Sequence, residues 1–225
     1  MGENVTAIVP AYNEQDRILL TLAALKKIKD ISEIIVVDDS SKDSTYEILK
    51  KENGIILLHN NSNKGKGSAV RLGLSHASNA YTALVDADIG DSASEIEKLV
   101  RAAKSDNNSI VIGMLPPSKI KGGFGFLKLI STKGFYALTS VELKSVLSGQ
   151  RVLPTAFLRE LDDIPDGYSL EFKVALEGIR HGLKLVEVPV DIHHRETGRN
   201  ISGFLHRGKQ CTDILKTIIM EMTKY

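Results

Sequence analysis

The sequence holds a single cysteine, Cys211, which excludes both an internal disulfide framework and a Cys-based zinc site, since each needs several thiols at set spacings. It also lacks an excess of charge. Lys and Arg total 29 against 28 for Asp and Glu, and the resulting net charge of +1 excludes a nucleic-acid polycation and an acidic disordered tail. No uninterrupted apolar run approaches the roughly 18 residues that a membrane-spanning helix needs. The opening Met-Gly-Glu-Asn-Val-Thr has no basic stretch leading into an apolar one, so no secretory signal is expected and a cytoplasmic location is. Internal repeats and low-complexity linkers are missing as well. What is present is 225 residues, 42% of them hydrophobic, which is enough to bury one sizeable core. The expectation is one domain over residues 1–225.

Up to about residue 115, short β-branched apolar runs alternate with longer amphipathic stretches, and each run ends in a polar cluster. The runs are Val5 to Val9, Ile34 to Val37, Ile55 to Leu58, Thr82 to Val85 and Ile110 to Ile112. Their near-continuous apolarity predicts a parallel sheet covered on both faces, because a half-exposed strand would alternate. Helices are predicted at Arg17 to Lys29, Thr45 to Lys51, Ser68 to His76 and Glu95 to Ala103, where apolar residues recur at helical spacing. Asp43-Ser44 precedes one of them, and Ser92 with Glu95 has capping-box spacing before another. The fold class is therefore α/β, with a Rossmann-like, mostly parallel central sheet and helices on both faces. After Pro116-Pro117, a basic glycine-containing loop from Lys119 to Gly125 leads into a long helix, about Phe126 to Leu147, which Ser148-Gly149 ends with Gly149 in a left-handed cap. A helix over Ser169 to His181, a strand over Lys184 to Val188, a His- and Arg-rich segment from Asp191 to Asn200, and a helix over Gly203 to Met222 follow.

In an open α/β sheet, ligands bind beyond the carboxyl ends of the strands, so the loops there carry the chemistry. Asp86 and Asp88 directly follow the strand Thr82 to Val85, and at spacing i, i+2 in extended chain they project to one side. Two hard oxygen ligands suit Mg²⁺ or Mn²⁺, whose other positions go to water and phosphate oxygens; the alternative is a turn that caps the next helix. Asp38 and Asp39 end the second strand, where unpartnered burial would cost several kcal/mol, so either a ligand such as a base imide N–H or backbone amides must satisfy them. Lys64-Gly65-Lys66-Gly67 stands before a helix and could attract phosphate, although it is neither a Walker A loop nor a dinucleotide fingerprint. His193 and His194 are adjacent on an extended segment and face opposite ways, so one of them can complete a metal shell. Gln150 and Arg151 offer polar groups to phosphate or sugar hydroxyls. Glu171 opens a helix, where the helix dipole alone would also favour a carboxylate.

Taken together, Ile8-Val9-Pro10-Ala11-Tyr12-Asn13-Glu14, the Val-Val-Asp-Asp-Ser-Ser within Ile34 to Ser41, Asn63 to Gly67 and Val85-Asp86-Ala87-Asp88 resemble the nucleotide-sugar glycosyltransferases of family 2, with the GT-A fold. The resemblance covers the first ninety or so residues. It implies a nucleotide-binding half over residues 1–115 and an acceptor-binding half over 116–225. It also implies that Pro10, Ala11, Tyr12, Glu14 and Asp39, with Asp38, line the base and ribose pocket. Lys66 would lie near the diphosphate, and Asp86, Ala87 and Gly149 near the donor. The second half points two ways. Gly122-Gly123 through Leu147 with Ser148-Gly149-Gln150-Arg151 is similar to polyprenyl-phosphate sugar transferases, but Leu147 stands where those carry an acidic residue. Gly167-Tyr168-Ser169-Leu170-Glu171 with His193-His194-Arg195 is similar to glucosyl-3-phosphoglycerate synthases, which are much longer; that likeness puts His194 in the metal shell with Asp88 and Asp86.

The activity so implied is transfer of a hexose from a nucleoside diphosphate sugar, UDP-sugar favoured over GDP-mannose, to an acceptor hydroxyl or phosphate. Glu171 would serve as base for an alcohol acceptor if the anomeric centre inverts; if configuration is retained, Gln150 or the Gly149 to Val152 backbone would stabilise the transition state instead, and Arg151 would contact phosphate or sugar hydroxyls. The acceptor is a small molecule or a lipid-linked one. Two other classes stay open: a sugar nucleotidyltransferase, which usually carries a basic glycine-rich loop after the first strand, and a non-catalytic nucleotide-sugar binding module. No nucleic-acid partner is expected. Ile214, Leu215, Ile218, Ile219 and Met222 form an apolar stripe on the last helix, for which packing on the sheet, a second copy in a homodimer, or peripheral contact with the inner face of a membrane are the options.

Overall fold

A computed structural model of the chain describes residues 4–116, 124–161, 164–165, 169–194 and 201–223. Strand β1 (Val5–Ala11), helix α1 (Ile18–Leu25), β2 (Ile31–Asp38), α2 (Thr45–Leu49), β3 (Ile56–His59), α3 (Lys66–His76) and β4 (Tyr81–Leu84) come first. A 3₁₀ turn (Gly90–Glu95) leads into α4 (Ile96–Ser105) and β5 (Ser109–Met114). The second half supplies α5 (Phe124–Thr139), β6 (Arg151–Pro154), α6 (Thr155–Glu160), α7 (Leu170–Arg180), β7 (Lys184–Pro189) and α8 (Ile201–Met222). The seven strands form one sheet in the order β3-β2-β1-β4-β6-β5-β7. Strand β6 runs antiparallel to both β4 and β5, and every other pairing is parallel. Because β6 inserts between two strands of the first half, the two halves share a sheet. From β1 the chain winds outward through β2 and β3 and then returns to β4 on the other side of β1, which creates the crevice where open α/β sheets take ligands.

The apolar runs of β1, β2, β4 and β5 are buried on both faces, as central strands of a covered sheet require, whereas the edge strand β3 leaves Ile56 exposed and Leu57 and Leu58 half-buried. In β1, Val5, Ala7 and Val9 pack with α1, α4 and the 3₁₀ turn, while Ile8 between them packs on the opposite side with α3 and the helices of the second half. Helix α3 lies close on the sheet because Gly73 has no side chain: a Cβ there would press on Ile8 and Val37. Full burial of an isoleucine such as Ile8 stabilises the fold by about 2–3 kcal/mol.

Several details depart from the sequence-based expectations. The long helix ends at Thr139 and does not continue to Leu147. Thr139 Oγ1 donates back to the Phe135 carbonyl (2.8 Å) and accepts the Val141 N–H (3.1 Å), and Ser140 turns the chain with φ 59°. Ser148-Gly149 therefore ends no helix, and Gly149 is not left-handed; it leads into β6, a strand the pattern hid because it is four residues long, opens on Arg and closes on Pro. Helix α6 was also unexpected. Ser92 and Glu95 form no capping box: Ser92 Oγ donates to the Ile89 carbonyl (2.6 Å), and Glu95 accepts the Asp191 N–H (2.8 Å) and a Lys98 bond. The second helix starts at Thr45 as expected, but its N-cap Ser44 makes no capping bond; Asp43 Oδ1, one residue earlier, accepts the Thr45 N–H (2.9 Å). The expected basic loop falls largely outside the described residues, as do Gly167, Tyr168 and Arg195. The apolar stripe of α8 divides. Ile214 and Ile218 are buried, with Ile218 against Gly134 of α5, while Leu215, Ile219 and Met222 are exposed. No described helix is long and apolar enough to cross a membrane.

Candidate active site

The loops after β1, β2 and β3 are tied to one another by side chains. Asn13, which takes a left-handed φ of 57°, accepts the Lys42 N–H (2.7 Å) and gives its own N–H to Ser41 Oγ (3.0 Å). Glu14 N–H reaches Thr45 Oγ1 (2.8 Å). Pro10 and Ala11 end β1, and Tyr12 is 38% exposed at the strand's carboxyl end.

The two aspartates that end β2 meet different fates. Both oxygens of Asp39 are taken by the protein: the Asn60 amide (2.7 Å), the Lys64 N–H (3.1 Å) and the Gly65 N–H (2.7 Å). Backbone amides thus satisfy Asp39, and this shapes the basic loop, where Gly65 with φ 89° lets the chain turn into α3. Asp38 is fully buried. Its Oδ2 accepts the Ser41 N–H (3.2 Å) and lies 2.9 Å from His59 Nδ1, whereas its Oδ1 is buried without a partner.

Strand β4 delivers the Asp86-Ala87-Asp88 loop, and α1 fastens it. Thr21 Oγ1 donates to the Ala87 carbonyl (2.8 Å) and accepts the Gly90 N–H (2.8 Å), and Arg17 donates to the Asp88 carbonyl (3.3 Å). Asp86 is held from two sides. Lys66 Nζ donates to Oδ1 (2.5 Å), and Gln150 Nε2 donates to Oδ2 (2.6 Å) while Gln150 Oε1 accepts the Asp86 N–H (3.2 Å). Lys66 also reaches Glu171 Oε1 at 2.7 Å, across 105 residues of sequence. Gly149 packs directly on this pair: a Cβ there would overlap the Asp86 carboxylate and come within 2.7 Å of Lys66 Nζ.

Asp88 has a different neighbour. His194 Nδ1 lies 3.0 Å from Asp88 Oδ1, and ligand atoms of Asp86, Asp88 and His194 all fall within 4.8 Å of one another. His193 points the other way, exposed and beside Asp191 (3.2 Å), as alternation along extended chain predicts. Two carboxylates, Asp86 and Glu171, thus share one ammonium, and a third, Asp88, lies beside Asp86 and His194. The charges move the titrations accordingly. Burial alone would lower the Lys66 ammonium, but Asp86 and Glu171 raise it above its ordinary value. Burial would raise Asp86, yet Lys66 and then His194 hold it below the usual carboxylate range. For His194, burial would lower the imidazole, and the Asp88 hydrogen bond with the Asp86 and Asp88 charges raises it instead. An oxygen and imidazole donor set carrying surplus negative charge fits a small divalent cation.

The structure thus brings together Lys66, Asp86, Ala87, Asp88, Gly149, Gln150, Glu171 and His194, with Pro10, Ala11, Tyr12, Glu14, Asp38 and Asp39 on the neighbouring loops. Arg151 stands apart. Its guanidinium is fully buried and donates to the Ser148 (2.9 Å) and Val146 (2.5 Å) carbonyls, and burial lowers its pKa to about 10 against the opposing charges of Glu171 and Glu187. These bonds support the loop that carries Gly149 and Gln150, while Arg151 Nη1 is buried without a partner. Sequence reasoning missed Arg17, Thr21, His59 and Asn60. Only Thr21 left a signal, as the one polar residue on the buried face of an otherwise apolar helix.

Residues 6–163 match the family model described as "Glycosyl transferase family 2". The undecaprenyl-phosphate mannosyltransferase of Micrococcus luteus is 28% identical, over 87% of this chain and 86% of its own. The dolichyl-phosphate beta-glucosyltransferase ALG5A of Trichomonas vaginalis is 27% identical, over 96% of this chain and 73% of its own. Among solved structures, the glucosyl-3-phosphoglycerate synthase of Mycobacterium tuberculosis in complex with Mn²⁺, UDP and glucosyl-3-phosphoglycerate superposes with a TM-score of 0.76 at 20% identity, over 96% of this chain and 80% of that one. Another structure of that synthase is a complex with Mg²⁺ and UDP. At such identity the likeness fixes the fold, which is GT-A. The chain belongs to glycosyl transferase family 2 and is a glycosyltransferase, which sets aside the nucleotidyltransferase and the non-catalytic module.

Proposed function

From membership of that family, we propose that the chain transfers a hexose from a nucleoside diphosphate sugar to a phosphate acceptor, with Mg²⁺ or Mn²⁺ held by Asp88 and His194. The observation that carries this reading is the Asp86, Asp88 and His194 cluster beside Lys66, at the carboxyl ends of parallel strands. Bound there, the cation supplies Lewis-acid stabilisation of the departing diphosphate. Lys66, at the first turn of α3, adds a positive charge and the helix N-terminus on the same side. Tyr12 offers an exposed ring for the base. The unpartnered Asp38 Oδ1 would accept an imide N–H, which favours UDP, although the N1–H of guanine keeps a GDP-sugar in range.

The choice of acceptor rests on Glu171. Its Oε1 is committed to Lys66, which ties the carboxylate to the phosphate-binding lysine and leaves Oε2 as the oxygen that could take a proton from an alcohol. A phosphate acceptor arrives ionised and needs no base. Both relatives named above act, by their names, on polyprenyl phosphates, and that is the acceptor class proposed here. A hydroxyl acceptor is the second reading: Glu171 could serve it once a diphosphate draws Lys66 away. Incubation with UDP-glucose or GDP-mannose, Mn²⁺, and either undecaprenyl phosphate or 3-phosphoglycerate separates the two. Label in the lipid phase that EDTA abolishes supports the proposal; label in 3-phosphoglycerate alone supports the second reading, and label in neither, with either donor, contradicts both.

A further inference from the structure

The two carboxylates of the Asp86-Ala87-Asp88 loop are close enough to share a cation, yet the protein treats them differently. Asp88 meets His194 through one oxygen, Oδ1, whereas Asp86 is clamped on both oxygens, by Lys66 and by Gln150. The Gln150 carboxamide is fully buried and spends both of its ends on Asp86, donating to the carboxylate at 2.6 Å and accepting the backbone N–H at 3.2 Å. Only a side chain with a donor and an acceptor on one head does both.

The clamp is not needed to place its own loop. Gly113 N–H donates to the Gln150 carbonyl (2.9 Å), Gln150 N–H reaches Ser148 Oγ (3.4 Å), and Arg151 gathers the Val146 and Ser148 carbonyls. Gly149 clears the space through which the loop approaches. The side chain of Gln150 is thus free to act on Asp86 alone.

We propose that Gln150 is a positioning residue that holds Asp86 off the metal and on Lys66, dividing the aspartate pair into one cation ligand, Asp88 with His194, and one anchor for the phosphate-binding lysine. This rests on the proposed donor and metal. Released from Gln150, Asp86 needs only a small swing to join Asp88 and His194, and a third ligand tightens the cation. The same swing leaves Lys66 with Glu171 as its one carboxylate partner, draws it off the Asp86 side and weakens the nucleotide. The two affinities therefore move in opposite directions, which a loss of structural support alone would not produce.

The test is calorimetric titration of the whole protein with Mn²⁺ alone, and with UDP or GDP in the presence of saturating Mn²⁺. It compares wild type, Gln150→Met and Gln150→Glu, with thermal unfolding followed alongside. Gln150→Met keeps the shape and removes both bonds. Gln150→Glu keeps the acceptor and sets a negative charge against Asp86, and it carries the test if the Met variant does not fold. The expected result is Mn²⁺ binding tighter by about threefold or more and nucleotide binding weaker by about tenfold in either variant. Affinities that fall together, or that both stay within twofold of wild type, overturn the inference while leaving the proposed function standing. A wild type that binds neither Mn²⁺ nor nucleotide overturns the proposed function and this inference with it.

Discussion

The rim of loops around Asp86 and the α5–α8 side of the molecule are held together by different means. Around the rim, short polar side chains stitch one loop to the next: Asn13 to Lys42, Asp39 to Lys64 and Gly65, Thr21 to Ala87, Gln150 to Asp86. The site is built before any ligand arrives, and its cost in ordering is met on folding. On the other side, α8 lies against α5 through apolar packing such as Ile218 on Gly134, and one ion cluster joins it to α7. There Lys173 and Arg180 both bond Glu221 (2.7 and 2.6 Å), and both also pair with Glu177. That side also exposes Leu129 and Tyr136 of α5 and Ile219 and Met220 of α8. The rim is specified by directional bonds, and the helical side by area and charge. Substitutions in the first should therefore change ligand affinity at nearly constant stability, and those in the second should do the reverse.

The largest effect is expected at the metal side of the rim. His194→Ala should weaken Mn²⁺ binding by about 100-fold or more, beyond the loss usual for a supporting residue, with unfolding nearly unchanged. A melting temperature that fell with the affinity would erase the contrast between the two regions. Gly149→Ala comes next. Its Cβ displaces the Asp86 carboxylate and Lys66, so the donor KM should rise by about tenfold or more while the fold holds.

Across the molecule, Glu221→Gln should leave donor KM alone and lower stability by about 2 kcal/mol in denaturant titration, less than for a fully buried pair because Arg180 is partly exposed. The smallest effect is in acid. Burial would raise the Glu177 carboxyl, but Lys173 and Arg180 hold it below its ordinary 4.5. Its contribution to stability is complete above that value and is lost as pH falls through the lowered folded one. Wild type should thus lose stability below about pH 4.5 by a margin that shrinks in Lys173→Met, as urea midpoints read at pH 6 and pH 3 would report.

The contrast also explains what could be read from sequence. Strands such as Val5 to Val9 and Ile34 to Val37 were legible because burial on both faces leaves an unbroken apolar run, and the loops behind them were therefore legible as the ligand edge. Alternation along extended chain sent one of His193 and His194 inward, but naming His194 needed the resemblance until the structure placed it at Asp88. By contrast, β6 was hidden, since a four-residue central strand opening on a buried arginine carries no periodicity. The Lys66–Glu171 pair and the Gln150–Asp86 clamp join residues 105 and 64 positions apart, and only the insertion of β6 between β4 and β5 brings the second pair together. A conspicuous cation beside Ser-Gly suggests contact with phosphate or sugar hydroxyls, and the burial of Arg151 beneath the loop is invisible in composition or spacing.

The proposed cation is shared by Asp88 and His194 and binds the donor's diphosphate. Its most direct test is calorimetric titration of wild type and Asp88→Ala with UDP, GDP, UDP-glucose and GDP-mannose, each with Mn²⁺ and again with EDTA. Nucleotide binding that requires Mn²⁺ in wild type and vanishes in Asp88→Ala, with both proteins unfolding at similar temperatures, is the predicted result. Binding that persists in EDTA, or that survives the loss of Asp88, would contradict it.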